Sequence, residues 1–133
     1  MPNSIEKMYR RIYWKKYQGN QGIQAMAQKL NKTIIYKIIK KYLSVLKANK
    51  LNFDKVYLFG SYANGTFSEN SDIDLAIVSD ISSGDPIDDS LLLMKYRRQV
   101  DSRIEPHPFL LSDFSLDDPF VKNIVESGEE IKS

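Results

Sequence analysis

Apolar and polar positions sort the chain into a clear succession of elements from residue 33 onward. Ile35, Ile38, Ile39, Tyr42, Leu43 and Leu46 recur at helical spacing. Lys37, Lys40, Lys41 and Lys47 fill the opposite face. The spacing predicts an amphipathic helix over 34–48 that ends near Asn49. The β-branched and aromatic run Lys55-Val56-Tyr57-Leu58-Phe59 then predicts a strand that stops at Gly60-Ser61. A polar loop from Tyr62 to Ser71 leads to a second apolar run, Ile73 to Val78. Two such strands joined by a polar connection predict an antiparallel pair. After the loop Ser82-Ser83-Gly84-Asp85, Pro86 opens a helix that carries Leu91, Leu92, Met94 and Tyr96 to about Val100. Arg103 to Leu110 reads as a third strand, and Pro106 and Pro108 assign it to a sheet edge. A last helix begins near Pro119, buries Phe120, Val121, Ile124 and Val125, and stops at Gly128.

Residues 1–31 carry less pattern. Ile5 to Tyr17 is basic, rich in tyrosine and readable as a helix. Gly19-Asn20-Gln21-Gly22 is a turn signal, and Gln24 to Leu30 a short helical candidate. The expected organisation is a basic, helical N-terminal extension over 1–31 and a folded domain over 32–133. The expected class is α/β (α+β), a short mixed sheet flanked by helices.

Composition narrows the picture. With 42% hydrophobic and 27% charged residues, the chain is an ordinary globular sequence rather than a disordered one. The absence of cysteine excludes disulfides and thiolate metal sites. No apolar run approaches the ~18 residues of a membrane span, and no leader pattern stands at the N-terminus. A cytoplasmic location is expected. The net charge of +2 hides an asymmetry. Residues 1–50 carry twelve Lys/Arg against Glu6 alone, or +11, and residues 51–133 carry seven Lys/Arg against sixteen Asp/Glu, or −9. The Lys-rich helix face reads as a solvated surface. Nucleic acid is a less favoured partner for the basic N-terminus, where Tyr9, Tyr13, Trp14 and Tyr17 lie among Arg10, Arg11, Lys15 and Lys16.

The chemistry concentrates between Leu58 and Leu75. Asp72 and Asp74 stand two apart, so strand geometry puts both carboxylates on one face. Two carboxylates that close repel each other unless a cation lies between them. Mg²⁺ suits them, because it takes carboxylate oxygens and keeps positions for water and phosphate. Gly60-Ser61 ends the preceding strand, where a glycine lets backbone approach a phosphate and the Ser61 hydroxyl is available to it.

Gly60-Ser61, ten residues, then Asp72-Ile73-Asp74 in an apolar strand resembles the signature of the nucleotidyltransferase superfamily that includes DNA polymerase beta and kanamycin nucleotidyltransferase. The flanking LFGSYANGT and SDIDLAIVS are similar to its small members, the minimal nucleotidyltransferases. The likeness runs from about Phe53 to Ile131. It implies that Asp72 and Asp74 hold two Mg²⁺ ions, that Gly60 and Ser61 anchor the phosphates of ATP, and that a third carboxylate completes the site. Glu105, inside the third strand, is favoured for that part over Asp101, at the end of the preceding helix. Helix 34–48 is expected on the sheet face opposite these residues. His107, the single histidine, is expected to have a structural part near the site.

The resemblance also bears on the acceptor. Minimal members are commonly paired with a helical HEPN-type ribonuclease toxin, and act as antitoxins by moving AMP to a tyrosine on it. That implies a protein adenylyltransferase here, with the toxin as partner. Two other readings stand beside it: a small-molecule transferase of the antibiotic-modifying kind, its acceptor pocket completed by a homo-oligomer, and a non-catalytic antitoxin that acts by binding alone.

Overall fold

The computed structural model describes residues 20–65, 67, 71–79 and 86–132. The helix expected over Ile5 to Tyr17, Gly19, and the loop residues Ser68, Asn70 and Ser82 to Asp85 lie outside them. The chain divides into two compact units, Met1–Lys37 and Ile38–Ser133.

In the first unit the described residues are helical. They belong to α1, Asn20–Ala48, which continues into the second unit. The turn expected at Asn20-Gln21-Gly22 is therefore not formed, and the helical candidate Gln24 to Leu30 and the helix expected over 34–48 are one. The reason is local: no proline interrupts 20–48, and a glycine such as Gly22 costs a helix only about 1 kcal/mol.

The second unit continues with β1 (Lys55–Phe59), α2 (Ser61–Asn64), β2 (Ile73–Ser79), α3 (Pro86–Arg97), β3 (Ile104–Leu110), a 3₁₀ turn (Leu111–Asp113), α4 (Pro119–Ser127) and β4 (Glu129–Glu130). The strands form one sheet in the order β3-β2-β1-β4. β1 runs antiparallel to β2 and to β4, whereas β2 and β3 are parallel. A short connection suffices for the antiparallel pair, but the parallel pair needs a crossover, which α3 supplies. The sheet is mixed, and β3 lies at its edge as its prolines require.

Register sorts the side chains onto two faces. Val56 pairs with Ile77 and Leu58 with Leu75, while Ile73 pairs with Ile104 and Leu75 with Pro106. All of these are buried. Ile39, Tyr42, Leu43 and Leu46 of α1 and Leu93 of α3 are buried with them in the core. Lys40, Lys41 and Lys47 are exposed, as a solvated helix face should be. The alternate residues, Tyr57, Phe59, Asp74, Glu105, His107 and Phe109, occupy the other sheet face.

Tyr42 ties α1 to α3, its buried hydroxyl donating to the Leu93 carbonyl at 2.8 Å. Burial pushes the phenol well above its ordinary pKa, against the opposing charge of Arg97. Tyr42→Phe should lower stability by about 1–2 kcal/mol, since it leaves a buried carbonyl short of a donor. Urea unfolding should report a lower midpoint at an unchanged slope.

α4 starts where Asp118 accepts from the Phe120 N–H at 2.9 Å, with Pro119 in the first turn. It buries Val121 and Ile124, but Phe120 is 48% exposed rather than buried. Its ring instead meets Phe59 edge-on, with centroids 5.9 Å apart. Gly128 ends the helix with φ −87, without a left-handed turn. Space is what selects it: a Cβ there would stand 2.8 Å from the Leu58 carbonyl oxygen. α3 ends at Arg97, short of Val100, and Arg97 Nη1 donates to the carbonyls of Ser102 and Ile104. No helix among the described residues is long and apolar enough to cross a membrane.

Candidate active site

The corner after β1 is built by Gly60. Its φ of 75 and ψ of −149 lie in a region essentially open to glycine alone. A Cβ at this position would overlap Oδ2 of Asp74 and stand 3.3 Å from its Cγ. The backbone of the corner thus lies directly against the Asp74 carboxylate. Ser61 then begins a single helical turn, α2, where a loop was expected from Tyr62. Gly65, with φ 81, closes that turn by donating its N–H to the Ser61 carbonyl. Tyr62 is buried and stacks on Phe67 with centroids 4.7 Å apart.

The carboxylates come from neighbouring strands. Phe59 pairs with Asp74 across β1 and β2, and Asp74 pairs with Glu105 across β2 and β3. The next same-face pair is Ala76 with His107. The small Ala76 leaves room over the sheet, and His107 Nε2 comes within 3.3 Å of Asp74 Oδ1. The imidazole also leans on the Phe59 ring, with centroids 5.1 Å apart. Asp74, Glu105 and His107 each offer one ligand atom, and these atoms all lie within 4.8 Å of one another. Donors so spaced suit a single divalent cation, whose bonds to oxygen and nitrogen run about 2.0–2.6 Å.

Asp72 is not one of these three. β2 begins one residue later, because the Ile73 N–H makes the bond to the Arg103 carbonyl at 2.8 Å. Asp72 is exposed and precedes the strand rather than lying in it. Asp101 is committed elsewhere: its carboxylate accepts from the Arg103 N–H at 2.8 Å, from Nε at 3.1 Å and from Nη2 at 2.9 Å. Partial burial works against the charged form, but these contacts with Arg103 outweigh it and hold the pKa below the ordinary value. Arg103 is raised in turn, chiefly by that carboxylate.

Asp101→Asn should therefore cost stability, about 1 kcal/mol for a partly exposed pair. Since the folded carboxyl titrates below the unfolded one, the contribution is complete well above pH ~4 and fades as pH falls. Melting curves of wild type and variant should converge in acid. A difference that persists unchanged at low pH would remove the ion pair as its cause.

Sequence reasoning assigned His107 a structural part and passed over Phe59. The available signal was alternation: Tyr57 and Phe59 on one strand, and Glu105, His107 and Phe109 on another, each mark a single face. What alternation lacks is the pairing of the strands, which alone brings His107 beside Asp74.

The mixed sheet thus sets a strand carboxylate between a Gly-Ser corner and an acid on the adjacent parallel strand. The chain belongs to the polymerase beta nucleotidyltransferase family, whose signature matches residues 37–133. Two proteins of Methanocaldococcus jannaschii, each named "Putative protein adenylyltransferase", are 35% identical to it over 94 residues and 30% over 92. Each match covers 69% of this chain, and 92% and 88% of the two relatives. A crystal structure from Sulfolobus solfataricus, titled as that of "a putative nucleotidyltransferase", has a TM-score of 0.57 at 18% identity and covers 85% of this chain and 87% of its own. The last likeness is one of fold.

Proposed function

We propose that the protein is a divalent-cation-dependent protein adenylyltransferase, which moves AMP from ATP to a hydroxyl on a protein partner. The observation that carries the reading is the register pair Asp74 and Glu105, set against the Gly60 corner. The names of the two 35% and 30% identical relatives support the acceptor class. Asp74 and Glu105 hold the cation, with Asp72 at the solvent side contributing a further carboxylate for a second one. A divalent cation held there would supply positive charge against the phosphates. Gly60 and Ser61 position the polyphosphate through backbone and hydroxyl. Glu105 would also serve as the base that takes the acceptor proton.

The particular partner is a HEPN-type ribonuclease toxin modified on tyrosine, as the minimal members of the family suggest. This chain is then its antitoxin, acting in the cytoplasm. The purified chain, ATP and the HEPN-type protein encoded beside it should yield a toxin heavier by ~329 Da per transfer, the mass of one AMP residue. Label should follow α-³²P-ATP and not γ-³²P-ATP. A toxin silenced without any mass change would sink the enzymatic reading in favour of binding alone. Glu105→Gln should lose the transfer by at least about 100-fold while Asp101→Asn retains it, because Glu105 pairs with Asp74 and Asp101 is taken up by Arg103.

A further inference from the structure

We infer that His107 supplies a nitrogen ligand to the cation held at Asp74 and Glu105, so that the site prefers a transition divalent ion such as Mn²⁺ over Mg²⁺. The inference rests on the reading of Asp74 and Glu105 as cation ligands. Three features lead from the residues to it.

Spacing comes first. Cis ligands about an ion with bonds of ~2.1–2.2 Å stand about 3.0 Å apart in octahedral geometry. His107 Nε2 and Asp74 Oδ1, at 3.3 Å, are near that separation. Glu105 offers an oxygen inside the same 4.8 Å cluster.

Rigidity comes second. Glu105 and His107 each precede a proline, and a residue before proline is biased to extended backbone. Two alternate side chains of one strand are thus pre-set on one face. The imidazole leans on the Phe59 ring, and its register partner across the strand pair is the small Ala76. A histidine so confined loses little further freedom when it binds an ion.

Ligand chemistry comes third. Mg²⁺ takes oxygen donors and retains water, whereas an imidazole nitrogen adds affinity for first-row transition ions. Two carboxylates and one imidazole form a mixed set that rewards Mn²⁺ over Mg²⁺.

The test uses the untagged full chain and Mn²⁺ alone. His107 is the single histidine of the chain, so any imidazole signal is its own. Pulsed EPR of bound Mn²⁺ should detect a ¹⁴N coupling that turns into a ¹⁵N coupling when the protein carries ¹⁵N-histidine. This measurement is made on wild type and depends on no variant folding. In a Mn²⁺ titration, His107→Gln should weaken binding about tenfold or more. The Mg²⁺ affinity, read by displacement of Mn²⁺, should change by less than about threefold. Mn²⁺ bound in an Asp74-dependent manner without nitrogen coupling overturns the ligation and leaves the carboxylate site standing. Equal losses for Mn²⁺ and Mg²⁺ overturn it too, and reduce His107 to a residue that positions Asp74. Mn²⁺ binding unaffected by Asp74→Asn overturns both readings at once.

Discussion

Asp74→Asn should abolish AMP transfer, by at least about 10³-fold, while leaving the protein as stable as wild type or slightly more so. The two halves of this expectation have different origins. Asp74 is the carboxylate on which the Gly60 corner, Glu105 and His107 converge. It abuts the Gly60 backbone, pairs with Glu105 across the strands and meets His107. An amide of the same shape keeps those contacts but cannot hold a cation. Stability moves the other way, because Asp74 and Glu105 are like charges on adjacent strands, and removing one relieves their repulsion. The measurement is paired: label transfer from α-³²P-ATP, and thermal melting without added metal. A variant that keeps a tenth of the transfer rate would remove Asp74 from the centre of the reaction. One that melts far below wild type would mean that its carboxylate is a structural element.

Gly60→Ala should be the second most damaging change, and it acts on both quantities. The backbone at Gly60 holds φ 75 and ψ −149, where a side chain costs about 1–3 kcal/mol. The added methyl would also drive into the Asp74 carboxylate. Something must shift, and the softest element is the Asp74 side chain. A displacement of about 1 Å in a positioned group is enough to lose on the order of 100-fold in rate. Gly65→Ala is the matched control. That residue also has positive φ, at 81, but a Cβ there meets nothing within 4 Å. It should cost about 1 kcal/mol of stability and spare the transfer. If both variants lose activity equally, backbone strain and not the collision with Asp74 is responsible.

Much of this site is local, and so was readable from the sequence. The strand pair Lys55–Phe59 and Ile73–Ser79 announced itself through apolar runs and a polar connection of the right length. Pro106 and Pro108 marked an edge because a missing N–H is intolerable anywhere else. The parts that stayed hidden depend on partners distant in the chain. Glu105 was favoured through the family resemblance, because the parallel register across a helical crossover that pairs it with Asp74 is not encoded within Arg103 to Leu110. His107 was judged by its own neighbours, two prolines, when the residue that matters is 33 positions earlier. Phe120 looked like core because it falls in an apolar helix, yet its ring joins the aromatic layer over the active-site face. The single helix Asn20–Ala48 was missed for the opposite reason. Gly22 was read as punctuation, but a glycine without a proline is a weak stop.

The prolines of β3 have one more consequence. An exposed strand edge is a template, able to recruit another chain by hydrogen bonding and to grow into an aggregate. Alternate prolines put both missing donors on one side of β3, so its outer edge offers carbonyls without the N–H groups that a neighbouring strand would need. At the other end of the sheet, β4 is two residues long and gives little purchase. Among the described residues, a proline-blocked strand and a two-residue strand thus stand at the two borders of the sheet. The same residues that stiffen Glu105 and His107 withhold donors from a neighbouring strand, and Pro108→Val should expose that second duty as turbidity rather than as lost transfer.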